Sequence, residues 1–167
     1  MTAKSLAPSR TPASTPLPCR TNLPPRILVV EDEPDIRRLN TEILTESGYK
    51  VVAAEDGADA WRALNTDNYD LLITDNDMPK ISGLKLLDKL HAARIPMPVI
   101  MVSGAMPNED FKQHPWLQIH SMLLKPYTIA ELLGKVKEAL CDTAGSRQRN
   151  ASPSNRQSQP SIERLRI

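Results

Sequence analysis

Short apolar runs alternate with amphipathic segments along the middle of this chain. Five runs of four or five residues have the length and composition of buried strands, and the segments between them repeat apolar residues at helical spacing. The predicted strands are Ile27–Val30, Lys50–Ala54, Leu71–Thr74, Val99–Val102 and Ser121–Leu124. The predicted helices are Pro34–Ser47, Ala58–Asn65, Gly83–Ala93, a short or irregular one over Asn108–Gln113, and Ile129–Leu140. This alternation predicts a parallel sheet covered by helices on both faces.

Local signals support the first and last of these helices. Pro34 suits the first turn of a helix, where its missing N–H is no loss, and Gly48 is predicted to end the same helix. Thr128 and Glu131 have the spacing of a capping box at the start of the last helix. The predicted apolar faces are Ile36, Leu39, Ile43 and Leu44 on the first helix, and Ile129, Leu132, Leu133, Val136 and Leu140 on the last.

Length and charge divide the chain into three parts. The 167 residues, 40% of them hydrophobic, can form one domain with a genuine core. Residues 1–25 are predicted to be a disordered Pro-rich basic arm, 26–141 the folded domain, and 142–167 a disordered basic tail. The net charge is +1 over the whole chain, but the acids concentrate in the middle part. An acidic domain between basic arms is not expected to be a nucleic-acid-binding core.

Cysteine spacing and hydropathy indicate in which cellular compartment the protein is expected. Cys19 and Cys141 have neither metal-site nor disulfide-framework spacing, which fits a reducing cytosol. The chain has no apolar run of the roughly 20 residues that a membrane span needs, and its first residues lack the apolar centre of a secretory signal. We therefore expect a cytoplasmic protein. The acid-free N-terminal arm also overlaps in composition with an organellar transit peptide, although its prolines discourage an amphipathic helix.

Charged and hydroxyl side chains follow the predicted strands where each one ends. Glu31 and Asp32 follow the first strand, Asp75 the third, Ser103 the fourth and Lys125 the fifth. Because ligands bind beyond the carboxyl ends of parallel strands, we expect these side chains to converge. Crowded carboxylates repel one another unless a cation lies among them, and an all-oxygen donor set with room for water suits Mg2+.

This set of side chains predicts phosphoryl chemistry. An aspartate beside Mg2+, here Asp75, can attack a phosphoryl donor in line and form an acyl phosphate. Lys125 and the Ser103 hydroxyl would each contact a phosphoryl oxygen. A dianionic group at this edge would attract a loop able to donate hydrogen bonds to it, so the sequence predicts a phosphorylation switch.

Four spaced motifs resemble the receiver domain of two-component response regulators. They are ILVVEDEP at Ile27–Pro34, LLITD at Leu71–Asp75 followed by Met78-Pro79 and Ser82-Gly83-Leu84, VIMVSG at Val99–Gly104, and LKPY at Leu124–Tyr127. The resemblance covers about residues 26–141. It implies an α/β, flavodoxin-like, doubly wound fold with a five-stranded parallel sheet in the order 2-1-3-4-5 and helices on both faces.

The resemblance also implies an acceptor and a metal site. Asp75 would be the phosphoacceptor and one of the Mg2+ ligands. Asp32 would be the main metal carboxylate, Glu31 would assist through a water molecule, and the backbone carbonyl of Asp77 would be a further ligand.

Switch residues follow from the same resemblance, with one departure. Ser103 would be the switch hydroxyl and Lys125 the phosphate-contacting lysine, with a cis peptide bond to Pro126. Met122 stands where the family often has a switch aromatic, so a coupled rotation of serine and aromatic side chains is not expected in its usual form, although methionine can repack.

By the same resemblance, Asp77 and Ala105 occupy the two variable positions that tune hydrolysis of the acyl phosphate, and their side chains predict a slow loss of the phosphoryl group. Asp77 would repel or misorient the attacking water, and Ala105 offers that water no hydrogen bond. We therefore expect the acyl phosphate to last minutes or longer rather than seconds.

The function implied is that of a response regulator receiver. A histidine kinase or phosphotransfer protein would phosphorylate Asp75 in an Mg2+-dependent reaction, and a protein-interaction surface would switch in response. The protein would not be an enzyme beyond limited self-phosphorylation and self-dephosphorylation. We also expect a stand-alone regulator with an unknown downstream protein target, no DNA-binding output domain, no membrane association, and a monomeric or weakly dimeric state.

Two other functions compete with this interpretation. Asp75 and Asp77 have the spacing of the nucleophile and general acid of a haloacid-dehalogenase-type phosphatase. That enzyme would need a small hydroxyl residue and glycine soon after the second aspartate, whereas Met78-Pro79 follows here. The other alternative is an interaction module of the same fold that works without phosphorylation.

Overall fold

The computed structural model describes residues 23–105 and 119–150, the last eight of these by their backbone alone. The strands are β1 Arg26–Val30, β2 Lys50–Ala54, β3 Leu71–Asp75, β4 Val99–Ser103 and β5 Ser121–Leu124. The helices are α1 Pro34–Glu46, α2 Gly57–Thr66, α3 Gly83–Ala92 and α4 Ile129–Asn150. All strand pairs are parallel, and the sheet order is β2-β1-β3-β4-β5. The predicted flavodoxin-like fold and its sheet order are confirmed.

Alternating residues of the central strands divide the core into two layers. On one face the sheet packs against α1 and α4, and on the other against α2 and α3, because successive side chains of a strand point to opposite faces. The first layer contains Ile27, Val29, Leu71, Ile73, Ile100 and Val102 with Leu44, Leu132, Val136 and Ala139. The second contains Leu28, Val30, Leu72 and Met101 with Ala60, Leu86, Leu87 and Leu90. Because both faces of these strands are buried, their sequences are continuous apolar runs.

Helix α1 begins at the predicted residue, and the predicted capping box is present at the start of α4. Pro34 occupies the first turn of α1, and Gly48 follows the helix with φ of 90°. The Thr128 N–H donates to Glu131 Oε2 at 2.7 Å, and the Glu131 N–H donates to Thr128 Oγ1 at 3.2 Å. The capping box therefore satisfies two backbone donors at the start of α4.

Helix α4 is longer than the sequence pattern predicted. It was expected to end at Leu140, with a disordered tail from residue 142, but its backbone is helical to Asn150. No proline interrupts residues 141–150, and Ala, Arg and Gln among them are good helix formers. Neither α4 nor any other helix in the described parts of the chain is long and apolar enough to cross a membrane. The helix predicted over Asn108–Gln113, the N-terminal arm to residue 22 and residues 151–167 lie outside the described residues, so the division into arm, domain and tail stays a prediction.

The predicted apolar faces of two helices are partly wrong. Leu39 is 52% exposed and Ile129 is 53% exposed, whereas the polar Asn40 is buried. At 3.6 residues per turn, residues four apart lie on nearly the same side of a helix. The buried side of α1 therefore runs through Asn40 and Leu44, and Leu39 points away from it.

Candidate functional site

The parallel register brings four of the predicted site residues to one edge of the sheet. Glu31 follows β1, Asp75 ends β3, Ser103 ends β4 and Lys125 follows β5. The Lys125 N–H continues the β4–β5 ladder by donating to the Ser103 carbonyl at 2.9 Å. The Glu31, Asp75 and Ser103 side chains are buried although they carry charge or a hydroxyl. Buried polar groups need partners, so the contacts at this edge decide what the site can do.

The ammonium of Lys125 joins the first and third strands. Its Nζ lies 2.5 Å from Asp75 Oδ2 and 3.1 and 3.2 Å from the two carboxylate oxygens of Glu31. The other Asp75 oxygen, Oδ1, accepts a hydrogen bond from the Asp77 N–H at 3.1 Å. The Asp75 carboxylate is thus held at both oxygens, by a cation on one side and a backbone donor on the other.

The two carboxylates that contact Lys125 form a cluster with a third, that of Asp32. Glu31, Asp32 and Asp75 each offer an oxygen within 4.8 Å of the others. Burial raises the pKa of Glu31, and the nearby Asp75 charge adds to the rise, while the Lys125 hydrogen bond opposes it. Burial alone would lower the pKa of Lys125, but its hydrogen bonds to Asp75 and Glu31 outweigh that effect and raise it. The cluster carries more negative charge than Lys125 offsets, and its oxygen donors are those that hard divalent cations bind.

The turn that carries Glu31 and Asp32 is held by Arg37, which sequence analysis missed. One guanidinium nitrogen donates to the Glu31 carbonyl at 2.7 Å and to the Asp32 carbonyl at 3.0 Å. A cation near the start of a helix opposes the helix dipole, so its position was a signal that it has a specific partner. Arg37 therefore links α1 to the acidic turn.

The loop from β3 to α3 is also fixed by contacts that the sequence did not predict. A Cβ at Gly83 would lie 2.5 Å from the Asp75 carbonyl oxygen, so only glycine lets α3 begin this close to the strand. Lys80, with φ of 64°, donates to the buried Asp56 carboxylate at 2.6 Å. That bond is the main cause of the lowered pKa of Asp56. These contacts hold the loop that carries Asp77 beside the site.

The predicted switch and tuning residues lie in different environments. The Ser103 Oγ accepts a hydrogen bond from the Ala105 N–H at 3.3 Å, and Ala105 itself is exposed. Met122 is partly buried against the core layer of α2 and α3. The predicted cis peptide bond between Lys125 and Pro126 is confirmed.

A polar pair next to the lysine, one member of it buried and the other partly buried, was also missed. Asn40 Nδ2 donates to Tyr127 Oη at 2.9 Å, joining the middle of α1 to the turn after Lys125. Asn40 was left out of the predicted buried face of this helix, which contained only apolar residues. Its spacing of four residues from both Ile36 and Leu44 was the available signal that it lies on the buried side.

The sequence matches the family described as the response regulator receiver domain over residues 27–137. The chain belongs to that family. Receiver domains are phosphoacceptor regulatory modules of two-component systems rather than metabolic enzymes. This membership favours the receiver interpretation over the phosphatase alternative.

Curated relatives correct one expectation about partners. The chain is 31% identical over 115 residues to the transcriptional regulatory protein CusR of Escherichia coli, covering 69% of this chain and 51% of that protein. It is 32% identical over 116 residues to the transcriptional regulatory protein PrrA of Mycobacterium tuberculosis, covering 70% and 50%. The chain thus spans about half the length of these relatives. The prediction that there is no DNA-binding output domain is wrong, because these relatives are regulators of transcription.

Solved structures show the same architecture. The receiver domain of the Francisella response regulator 1452 matches with a TM-score of 0.66 and 31% identity, covering 71% of this chain and 98% of that one. The response regulator protein TrrA from Thermotoga maritima, in complex with Mg2+-BeF, matches with a TM-score of 0.62 and 34% identity, covering 70% and 99%. The similarity therefore extends over nearly the whole of each receiver.

Proposed function

We propose that this protein accepts a phosphoryl group on Asp75 from a histidine kinase or phosphotransfer protein, in an Mg2+-dependent reaction that switches a protein-interaction surface. The observation that carries the proposal is the convergence of Lys125 with Asp75 and Glu31 from three different strands. One nucleophilic carboxylate, one cation and two further carboxylates then lie at the sheet edge where this fold binds ligands.

The donor chemistry of the site suits Mg2+. Glu31, Asp32 and Asp75 supply carboxylate oxygens, and the Asp77 carbonyl is the expected fourth protein ligand. The complex of TrrA with Mg2+-BeF supports this choice of ion. When bound, the ion offsets the negative charge that the carboxylates and the incoming phosphoryl group share.

The residues of the chain orient the transfer. An Asp75 oxygen forms the new O–P bond while the P–N bond of the donor phosphohistidine breaks and its electron pair leaves with the imidazole nitrogen. The Lys125 ammonium, 2.5 Å from Asp75 Oδ2, would contact an oxygen of the transferred phosphoryl group and offset its charge. The Ser103 Oγ accepts from Ala105, so its own proton can be donated to another phosphoryl oxygen.

Apolar side chains near the lysine support an interaction surface there. Leu124 and Ile129, on either side of the Lys125 turn, are 41% and 53% exposed. Movement of Lys125 or of the partly buried Met122 on phosphorylation would be felt at this surface. The partner that reads it is a protein whose apolar side chains can cover Leu124 and Ile129.

The lifetime of the acyl phosphate depends on Asp77 and Ala105. The Asp77 N–H is bonded to Asp75, and its side chain is exposed to the solvent from which water would attack. We expect a lifetime of minutes or longer, measured as loss of labelled phosphate from purified protein in Mg2+. Loss within seconds would contradict this part of the proposal.

Beryllofluoride titration in Mg2+ tests the proposal directly. Backbone amide NMR should show saturable, Mg2+-dependent shifts in the wild type and no such shifts in Asp75→Asn, which keeps the shape but removes the anionic acceptor. Asp67→Asn, an exposed acid in the α2–β3 connection, is the matched control and should respond like the wild type. A wild type that does not respond would refute phosphorylation and favour an interaction module that works without it.

A further inference from the structure

An asparagine is buried at the centre of α1, where an apolar residue would be expected. Asn40 is only 3% exposed. Its Nδ2 donates to Tyr127 Oη at 2.9 Å, and Tyr127 Oη lies 3.3 Å from Asn40 Oδ1, where the hydroxyl can donate in return. Leaving such an amide without a partner is costly, so this two-way contact constrains both side chains.

Tyr127 connects the contact with Asn40 to the turn that carries Lys125. It lies two residues after Lys125, in the turn between β5 and α4, and it packs against the core layer of α1 and α4. Burial raises the pKa of the Tyr127 hydroxyl, so it stays protonated and can both accept and donate at neutral pH. A shift of the Tyr127 ring would therefore also shift the turn from which the lysine side chain extends.

The helix that carries Asn40 also contacts the turn that carries the acids. Asn40 lies one helical turn after Arg37, whose guanidinium donates to the carbonyls of Glu31 and Asp32. A single helix thus contacts both the segment that carries the acids and the segment that carries the cation. Rigid elements that hold reacting groups at short range are what positioning requires.

We infer that Asn40 and Tyr127 form a positioning pair that holds the Lys125 turn against α1 and thereby sets where the ammonium meets the group on Asp75. The inference rests on the proposed function, because it names residues that orient the lysine for phosphoryl binding. Neither residue touches the reacting atoms. The competing explanation is that the pair only satisfies the buried amide of Asn40 and the partly buried hydroxyl of Tyr127, and so stabilises the fold.

A double-substitution series separates the two explanations. The proteins are wild type, Asn40→Leu, Tyr127→Phe, the double variant, and Tyr49→Phe as a control, since Tyr49 packs against the same core layer. Each single substitution should lower the urea midpoint because it leaves one polar partner unpaired. The double variant should recover most of that loss, because removing both partners leaves neither unpaired.

Ligand binding supplies the deciding measurement. In the double variant, whose stability is largely recovered, we expect beryllofluoride affinity at saturating Mg2+ to fall about tenfold. Misplacing a supporting residue typically has an effect of this size. Affinity for Mg2+ alone should not fall, because the lysine contacts the phosphoryl analogue and not the metal. Tyr49→Phe should bind both like the wild type.

Three results would overturn the inference. A double variant that binds beryllofluoride as tightly as the wild type would show that the pair serves stability alone. A parallel loss of Mg2+ and beryllofluoride affinity would indicate general damage to the site. If the wild type itself failed to bind beryllofluoride, the proposed function would fail first, and the positioning role would fall with it.

Discussion

The two edges of the sheet carry similar charges with different consequences. At the carboxyl edge, Lys125 contacts the carboxylates of Asp75 and Glu31. At the amino edge, the Arg26 guanidinium lies 3.1 Å from Asp67 Oδ1, and the Arg26 N–H donates to Asp70 Oδ2 at 2.9 Å. Each edge therefore has one basic residue that contacts two acids. At the carboxyl edge the two acids follow or end different strands, whereas at the amino edge both lie in the connection between α2 and β3.

Burial distinguishes the two groups. The Glu31 and Asp75 side chains are 3% and 4% exposed, whereas the Asp67 side chain is 47% exposed. The amino edge opens into a cleft of about 720 Å³ lined by Arg26, Asp67 and Tyr69, among others. Water screens charges there, while at the carboxyl edge the same attraction acts in a less polar medium. Like residues thus make a buried charged cluster at one edge and a solvated ion pair at the other.

Removing the basic side chain at each edge should give the largest difference between the two edges. Lys125→Ala leaves Glu31 and Asp75 buried without their partner, and we expect a loss of about 3 kcal/mol in the free energy of unfolding without metal. Arg26→Ala should change it far less, since its acids remain in contact with water. Urea unfolding of both variants in EDTA measures the difference. Equal losses at the two edges would show that burial does not set the strength of the contacts.

Adding Mg2+ should give the next largest change in the free energy of unfolding. At about 100 times its dissociation constant, Mg2+ should raise the free energy of unfolding by about 2.7 kcal/mol, as any ligand specific to the folded state does. Asp32→Asn should lose much of this gain at the same Mg2+ concentration. Asp67→Asn at the amino edge should keep it. Urea midpoints with and without Mg2+ are the measurement, and equal gains in the two variants would argue against a metal at the carboxyl edge.

Removing the hydroxyl should have a smaller effect that is confined to the phosphorylated state. Ser103→Ala loses one hydrogen bond to a phosphoryl oxygen, and we expect beryllofluoride affinity in Mg2+ to fall about fivefold. Its only side-chain bond among the described residues is the 3.3 Å contact with the Ala105 N–H, so stability should change little. NMR titration gives the affinity. A change in stability without a change in affinity would contradict the assigned role.

The smallest effect is a pair of opposite pH dependences. Because the folded-state pKa of Glu31 is raised above 4.5, the folded state holds its proton more tightly than the unfolded state does. Relative to Glu31→Gln, the wild type should therefore lose stability as the pH rises from 4.5 through that raised pKa. The pKa of Glu131 is lowered by the backbone and hydroxyl of Thr128, so relative to Glu131→Gln the wild type should gain stability as the pH rises towards 4.5. Urea unfolding across this range in EDTA checks both signs, and slopes of the same sign would contradict the contrast.

Strand positions were predictable because burial on both faces leaves little choice of residue. Each predicted strand lies within one residue of its observed ends, and the parallel order then required Asp75 and Lys125 to meet at the same edge. The partners that Arg37 and Lys80 contact were not predictable, because long side chains reach groups that no periodic pattern specifies. Asn40 was missed because the buried face of α1 was predicted from apolar residues alone.

The amino-acid sequence alone determined the order of elements and the residue types at the strand ends, because apolar periodicity and turn chemistry act over short distances along the chain. Only the tertiary structure decided which of those residues touch, how deeply Glu31 and Asp75 are buried, and that Tyr127 is bonded to Asn40. Those facts depend on packing between segments far apart in the chain. The chemistry of the site therefore comes from burial and distance, which folding sets, acting on carboxylates and an amine that the sequence supplies.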